Sequence, residues 1–117
     1  MSKAAKSVLV FGIYLAVTGL GFLLMPNTLL PLFGFPPTNE VWIRIMGLLI
    51  MVLGYFYIQS ARIDFRPFFQ WTVYERIVCG VVFGILVVLG LAGPMLLLFG
   101  AVDLLGAIWT QLALRSS

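Results

Sequence analysis

The chain has 117 residues, of which 62% are hydrophobic and only 9% charged. Soluble domains carry about 25% charged residues, so an aqueous fold is excluded, and apolar segments fill so much of residues 1–117 that a single domain is expected. The net charge of +3 is not a nucleic-acid signal, because the Lys and Arg residues flank apolar segments as membrane-edge anchors do and form no groove-binding patch.

The chain opens with a short basic stretch containing Lys3 and Lys6. The first apolar segment, Val8–Met25, is predicted to be a retained span and not a cleaved leader, since no Ala-x-Ala site follows it. Pro26, Pro31, Pro36 and Pro37 punctuate the next stretch, which is itself apolar and is expected in the interface or folded over the helices. The second span is predicted over Val41–Ile58. Arg62–Trp71 then mixes basic residues with aromatics, the composition of an interfacial connection. The third and fourth spans are predicted over Trp71–Leu91 and Met95–Leu114, with Gly93-Pro94 closing them into an antiparallel hairpin.

Each segment is long enough to cross a hydrocarbon core of roughly 30 Å at 1.5 Å per helical residue. The runs do not alternate as barrel strands do, so helix is the open choice. The expected fold class is therefore all-α: a polytopic membrane protein of four transmembrane helices in an up-down bundle. Gly12 to Pro26 repeats as Gly80 to Pro94, and Gly47 to Arg62 repeats as Gly100 to Arg115, which raises the alternative of two repeated helical hairpins. Lys3, Lys6, Arg62, Arg66 and Arg115 fall on one side of the spans, and the connections on the other side lack Lys and Arg. The positive-inside rule places both termini in the cytoplasm.

Small residues at helical spacing mark close-packing faces: Gly80 with Gly84, Gly12 with Gly19, and Gly47 with Gly54. Packing within the chain is the simpler use of these faces, and an oligomer or partner surface the sharper one. Trp42, Trp71, Trp109, Tyr57 and Tyr74 fall near span ends, as an aromatic belt requires.

Asp103 lies near the middle of the fourth segment, too deep for a short side chain to reach the interface. A carboxylate there costs at least roughly 2.5–3.5 kcal/mol on insertion scales, so it is expected inside the bundle, paired or protonated. Arg76 is the favoured partner and Arg44 the other candidate, with Glu40 expected to pair with Arg44 at i,i+4. Glu75 is expected to cap toward the interface or join the same intramembrane polar core. Thr110 shares the face of Asp103 and either extends a polar stripe or bonds its own helix. Such a core either binds a ligand or relays a proton, or else sets helix register.

The chain has no histidine and one cysteine, Cys79. The usual metal ligand, haem ligand and general base are therefore missing, and no enzyme activity, metal or cofactor is expected. An Arg followed by Gly in the second span (Arg44-Ile-Met-Gly47) and an Arg opening the third (Arg76) give the chain a resemblance to small bacterial DoxX-like four-helix proteins. That resemblance implies a bacterial inner-membrane protein, some relatives being non-catalytic subunits of quinone-linked oxidoreductase complexes. The expected function is an accessory or structural subunit of a larger membrane complex, surrounded by lipid and packed against other subunits or further copies of itself. The alternative is a lipophile- or quinone-binding or transport protein with a polar pocket around Asp103.

Overall fold

The structure, a computed structural model, describes residues 1–116. Helix α1 spans Lys3–Leu24, a short α2 spans Pro26–Leu29 and runs into a 3-10 turn at Leu30–Phe33, and α3 spans Trp42–Arg62. Helix α4 spans Arg66–Val88 and α5 spans Met95–Ser116. The protein is all-helical among the described residues, and α1, α3, α4 and α5 are each long and apolar enough to cross a membrane.

The helices overrun the predicted spans mainly at the basic end. Helix α1 starts at Lys3 because the Ser2 hydroxyl accepts the Ala5 amide at 3.0 Å, which satisfies one of the free first-turn donors. The expected Arg62–Trp71 connection is mostly helix, since α4 begins at Arg66 with Pro67 in its first turn. Proline fits there because a first-turn amide has no intrahelical acceptor to lose. The link between α3 and α4 is thus only residues 63–65, turned by Asp64 at a φ of 52°. The Ser2 hydroxyl donates to Asp64 Oδ1 at 2.6 Å, fastening the N-terminus to this turn.

At the opposite end the proline-rich segment folds over the helices. Pro26 and Leu30 are buried, and Phe33 stacks on Phe99 of α5 at 3.8 Å between ring centroids. Gly34, at a φ of 83°, ends the 3-10 turn in the left-handed region that favours glycine.

Packing is strongest in two pairs, α1 with α3 and α4 with α5, and α1 against α5 joins the pairs. Helix α3 meets α4 only lightly, at the basic end, where Tyr57 stands edge-on to Phe68. There Ala4, Ala5, Val8, Phe11, Tyr57, Ala61, Phe69 and Ala113 form one core drawn from all four long helices. A smaller cluster of Phe22, Leu30 and Ile43 sits at the other end.

Glycines set the close approaches. A Cβ on Gly12 would stand 3.2 Å from Gly54 O, and one on Gly19 would stand 2.6 Å from Gly47 O. On α4, a Cβ at Gly80 would lie 3.1 Å from Gly100 O and 2.6 Å from Leu104 Cγ. Gly84 departs from expectation: a Cβ there meets nothing within 4 Å. The two pairs also differ in register. Residue equivalence in the repeat would seat Gly80 opposite Ala107, whereas Gly80 faces Gly100 and Leu104, so the glycine contacts of one hairpin are not reproduced in the other.

Gly47→Ala would push a methyl group to 2.6 Å from the Leu23 amide and 2.7 Å from Gly19 O, against backbone that cannot rotate away. It is expected to lower unfolding free energy in detergent by about 1–3 kcal/mol, while Gly84→Ala stays within about 0.5 kcal/mol of the parent. Equal stabilities for the two variants would remove the packing role assigned to the α1–α3 glycines.

Candidate functional site

The polar residues of the spans gather where α1, α4 and α5 meet, with α3 leaning on them from one side. Arg76 is at the centre, 1% exposed. Its Nε donates to Thr72 O at 3.1 Å and its Nη2 to Thr72 Oγ1 at 3.0 Å, one turn earlier on α4. The same Nη2 crosses to α5 and donates to Thr110 Oγ1 at 2.8 Å. Thr110 Oγ1 lies 2.8 Å from Ser7 Oγ of α1, so one guanidinium and three hydroxyls join three helices. Ser7, Thr72 and Thr110 are all buried.

The cation rests on aromatic faces. Its Cζ lies 4.8 Å from the Phe11 ring centroid and 5.8 Å from that of Tyr57, within the range of a cation–π attraction that grows where water is excluded. Nη1 is buried and has no hydrogen-bond partner among the described residues.

The acids stand beside this core and are half-buried. Glu75 Oε2 accepts the Tyr57 hydroxyl at 2.7 Å, and the Cys79 thiol points at Oε1 from 3.8 Å. Glu75 therefore ties α4 to α3 and does not cap toward the interface. Asp103 interacts electrostatically with Glu75 and Arg76, yet among the described residues it forms no ion pair with Arg76 or Arg44. The reason lies in helix direction. Side chains lean toward the helix N-terminus, so Arg76 on α4 reaches to the basic end and Asp103 on the antiparallel α5 reaches away from it.

Arg44 lies outside the polar core. It is exposed at the proline-rich end, where its Nη1 donates to Leu23 O at 2.6 Å and Leu24 O at 3.4 Å. These are last-turn carbonyls of α1, which have no intrahelical donor, and a cation complements the negative end of the helix dipole. Glu40 forms no pair with Arg44; its Oε2 accepts the Trp42 indole at 2.5 Å instead. Tyr57 is 1% exposed and belongs to the core, whereas Trp42, Trp71, Trp109 and Tyr74 remain exposed.

Ser7 and Thr72 are the members that sequence reasoning passed over. The i,i+4 spacing of Thr72 and Arg76 was the available signal for one of them. Thr110 shares a core with Asp103 by position, but its hydroxyl accepts from Arg76 and bonds Ser7. No group of three or more metal-ligating side chains occurs among the described residues.

No protein-family profile, curated protein or solved structure matches the chain.

Thr110→Val keeps the side-chain shape and removes the hydroxyl that accepts from Arg76 and bonds Ser7. Thermal unfolding in detergent is expected to show a loss of about 1–2 kcal/mol, against about 0.3–1 kcal/mol for Arg44→Leu at its exposed helix end. A larger cost for Arg44→Leu than for Thr110→Val would contradict the assignment of these roles.

Proposed function

We propose that this chain is a non-enzymatic, multi-pass protein of a bacterial inner membrane, acting as an accessory or structural subunit within a larger membrane complex. The observation that carries the reading is how Arg76 is held. Its hydrogen bonds go to Thr72 and Thr110 of its own chain, and Phe11 and Tyr57 cover the guanidinium. A buried cation committed to its own helices sets register and orientation, which is the structural use of an intramembrane charge. The resemblance to DoxX-like proteins supports the same compartment and role. The grouping of Lys3, Lys6, Arg62, Arg66 and Arg115 supports cytoplasmic termini.

A second reading, a lipophile-binding or transport protein, is favoured by one observation away from Asp103. An apolar groove of about 410 Å³ opens between α1 and the folded-over segment, lined by Val17, Gly21, Leu24, Leu29, Phe33 and Phe99 among others. It contains none of the residues of the polar core.

Purification from native membranes in mild detergent separates the readings. The subunit reading expects the chain to elute with one membrane complex in fixed stoichiometry. A chain that elutes alone and carries bound lipophile sinks it in favour of the groove. In whole cells carrying Cys79→Ala, an impermeant thiol reagent is expected to label Thr38→Cys and to spare Ser2→Cys and Asp64→Cys, and the reverse pattern would invert the orientation.

A further inference from the structure

The orphaned nitrogen of Arg76 lies against α5 one helical turn from Asp103, whose carboxylate forms no ion pair among the described residues. Nη1 is the sole buried side-chain nitrogen or oxygen among the described residues without a hydrogen-bond partner. Its surroundings come from two other helices. The Phe11 ring of α1 lies beneath the guanidinium, and Gly106 of α5 approaches so closely that a Cβ there would stand 3.2 Å from Nη1 and 3.1 Å from the Phe11 ring. Gly106 is one helical turn from Asp103 on the same side of α5. Tyr14, one turn from Phe11 with ring centroids 5.2 Å apart, in turn interacts electrostatically with Asp103. Arg76, Phe11, Tyr14, Asp103 and Gly106 therefore follow one another around a common locus. The two charges feel each other across it without touching.

We propose that this locus is a hydration site, in which ordered water bridges Arg76 Nη1 and the Asp103 carboxylate into a water-mediated ion pair inside the membrane. The chemistry narrows the occupant. Nη1 offers only N–H donors and an ionised carboxylate only acceptors, so the bridging species must both accept and donate. An added anion would be repelled by Asp103 and Glu75, and a cation has nothing to accept from Nη1, which offers only N–H donors. A hydrocarbon tail would satisfy neither group. Water does both, is the smallest molecule that does, and is stable in a buried position when two to four polar partners surround it. In this proposal Nη1, the Asp103 oxygens and the Tyr14 hydroxyl would supply that number.

Direct contact is the competing arrangement. With Nε and Nη2 held by Thr72 and Thr110 at 2.8–3.1 Å, the guanidinium is fixed toward the basic end, and the Asp103 carboxylate would have to reach Nη1 against the lean of its own helix. The bridge also extends the polar chain. Ser7, Thr110, Arg76, water and Asp103 would run without a gap from the basic end to the middle of the fourth span. This inference stands apart from the subunit reading: a hydrated pair fits either a subunit or a carrier.

The test is water-edited solid-state NMR on the full-length protein in lipid nanodiscs, with arginine labelled at its guanidinium nitrogens. The Nη1 protons of Arg76 are expected to receive water magnetisation several-fold faster than the Nη2 protons held by Thr72 and Thr110. Asp103→Asn, which keeps an acceptor, is expected to retain most of that transfer, and Asp103→Leu to reduce it to the Nη2 rate. Slow transfer at Nη1 in the parent protein would overturn the proposal, as would a direct contact between Nη1 and the Asp103 carboxyl carbon. Cross-peaks to the non-exchanging protons of a lipid or other ligand would overturn it too. Measurement on the parent protein decides the question even if Asp103→Leu does not fold.

Discussion

A guanidinium that cannot be neutralised sits in the interior of a bundle built from membrane-crossing helices, and the rest of the arrangement accommodates it. Free arginine side chains are costly in hydrocarbon, and removing that cost takes hydrogen-bond acceptors or polarisable faces brought from several directions. Here Thr72, Thr110, Phe11 and Tyr57 provide them from all four long helices. Because the acceptors belong to different helices, forming the Arg76 site fixes how the α1–α3 pair meets the α4–α5 pair. The apolar contacts of α1 with α5 and α4, the light α3–α4 contact near Tyr57 and Phe68, and the Phe33–Phe99 stack add to this connection but carry no comparable polar register.

Within each pair a different force acts. Bilayer hydrocarbon is as apolar as leucine, so helices gain nothing by hiding leucine from it; close backbone approach does the work. Gly12 against Gly54, Gly19 against Gly47, and Gly80 against Gly100 supply that approach. The molecule is thus assembled on two scales, glycine seams inside each hairpin and a polar knot between hairpins at the basic end. The aromatic core around Phe69 and Ala113 seals that end, and the Phe33–Phe99 stack closes the other.

Composition and breakers made the four helices and their order legible, because hydropathy over twenty residues is a strong signal and proline and glycine punctuate it. The seam of Gly12 and Gly19 with Gly47 and Gly54 was legible from spacing, whereas the approach of Gly80 to Gly100 in place of a Gly80–Gly84 face was not. The opposite lean of Asp103 and Arg76 on antiparallel helices was also legible, and it was outweighed by the need of the deeper arginine for an anion. What spacing could not convey was that Thr72 and Thr110 would satisfy Arg76 in place of a carboxylate, which depends on how the helices pack. Tyr57 looked like an interfacial residue because the span was ended at Ile58; with α3 continuing to Arg62, Tyr57 moves a full turn deeper and joins the core. Arg44 looked like a buried partner, but its place beside the last turn of α1 depends on the α1–α3 pairing. Ser7 and Thr72 carry ordinary helix-interior hydroxyls and acquire meaning only opposite Arg76.

The central claim is that Arg76 fixes how the α1–α3 pair meets the α4–α5 pair. It is tested most directly by double electron–electron resonance in nanodiscs with spin labels at exposed positions, comparing the parent chain with Arg76→Leu. Leu20 on α1 and Leu49 on α3 report within a pair, and Leu20 with Leu98 on α5 reports between pairs. The account predicts that Arg76→Leu leaves the Leu20–Leu49 distance distribution sharp and broadens or lengthens the Leu20–Leu98 distribution. Unchanged distributions at both label pairs, in a variant that is folded, would contradict it.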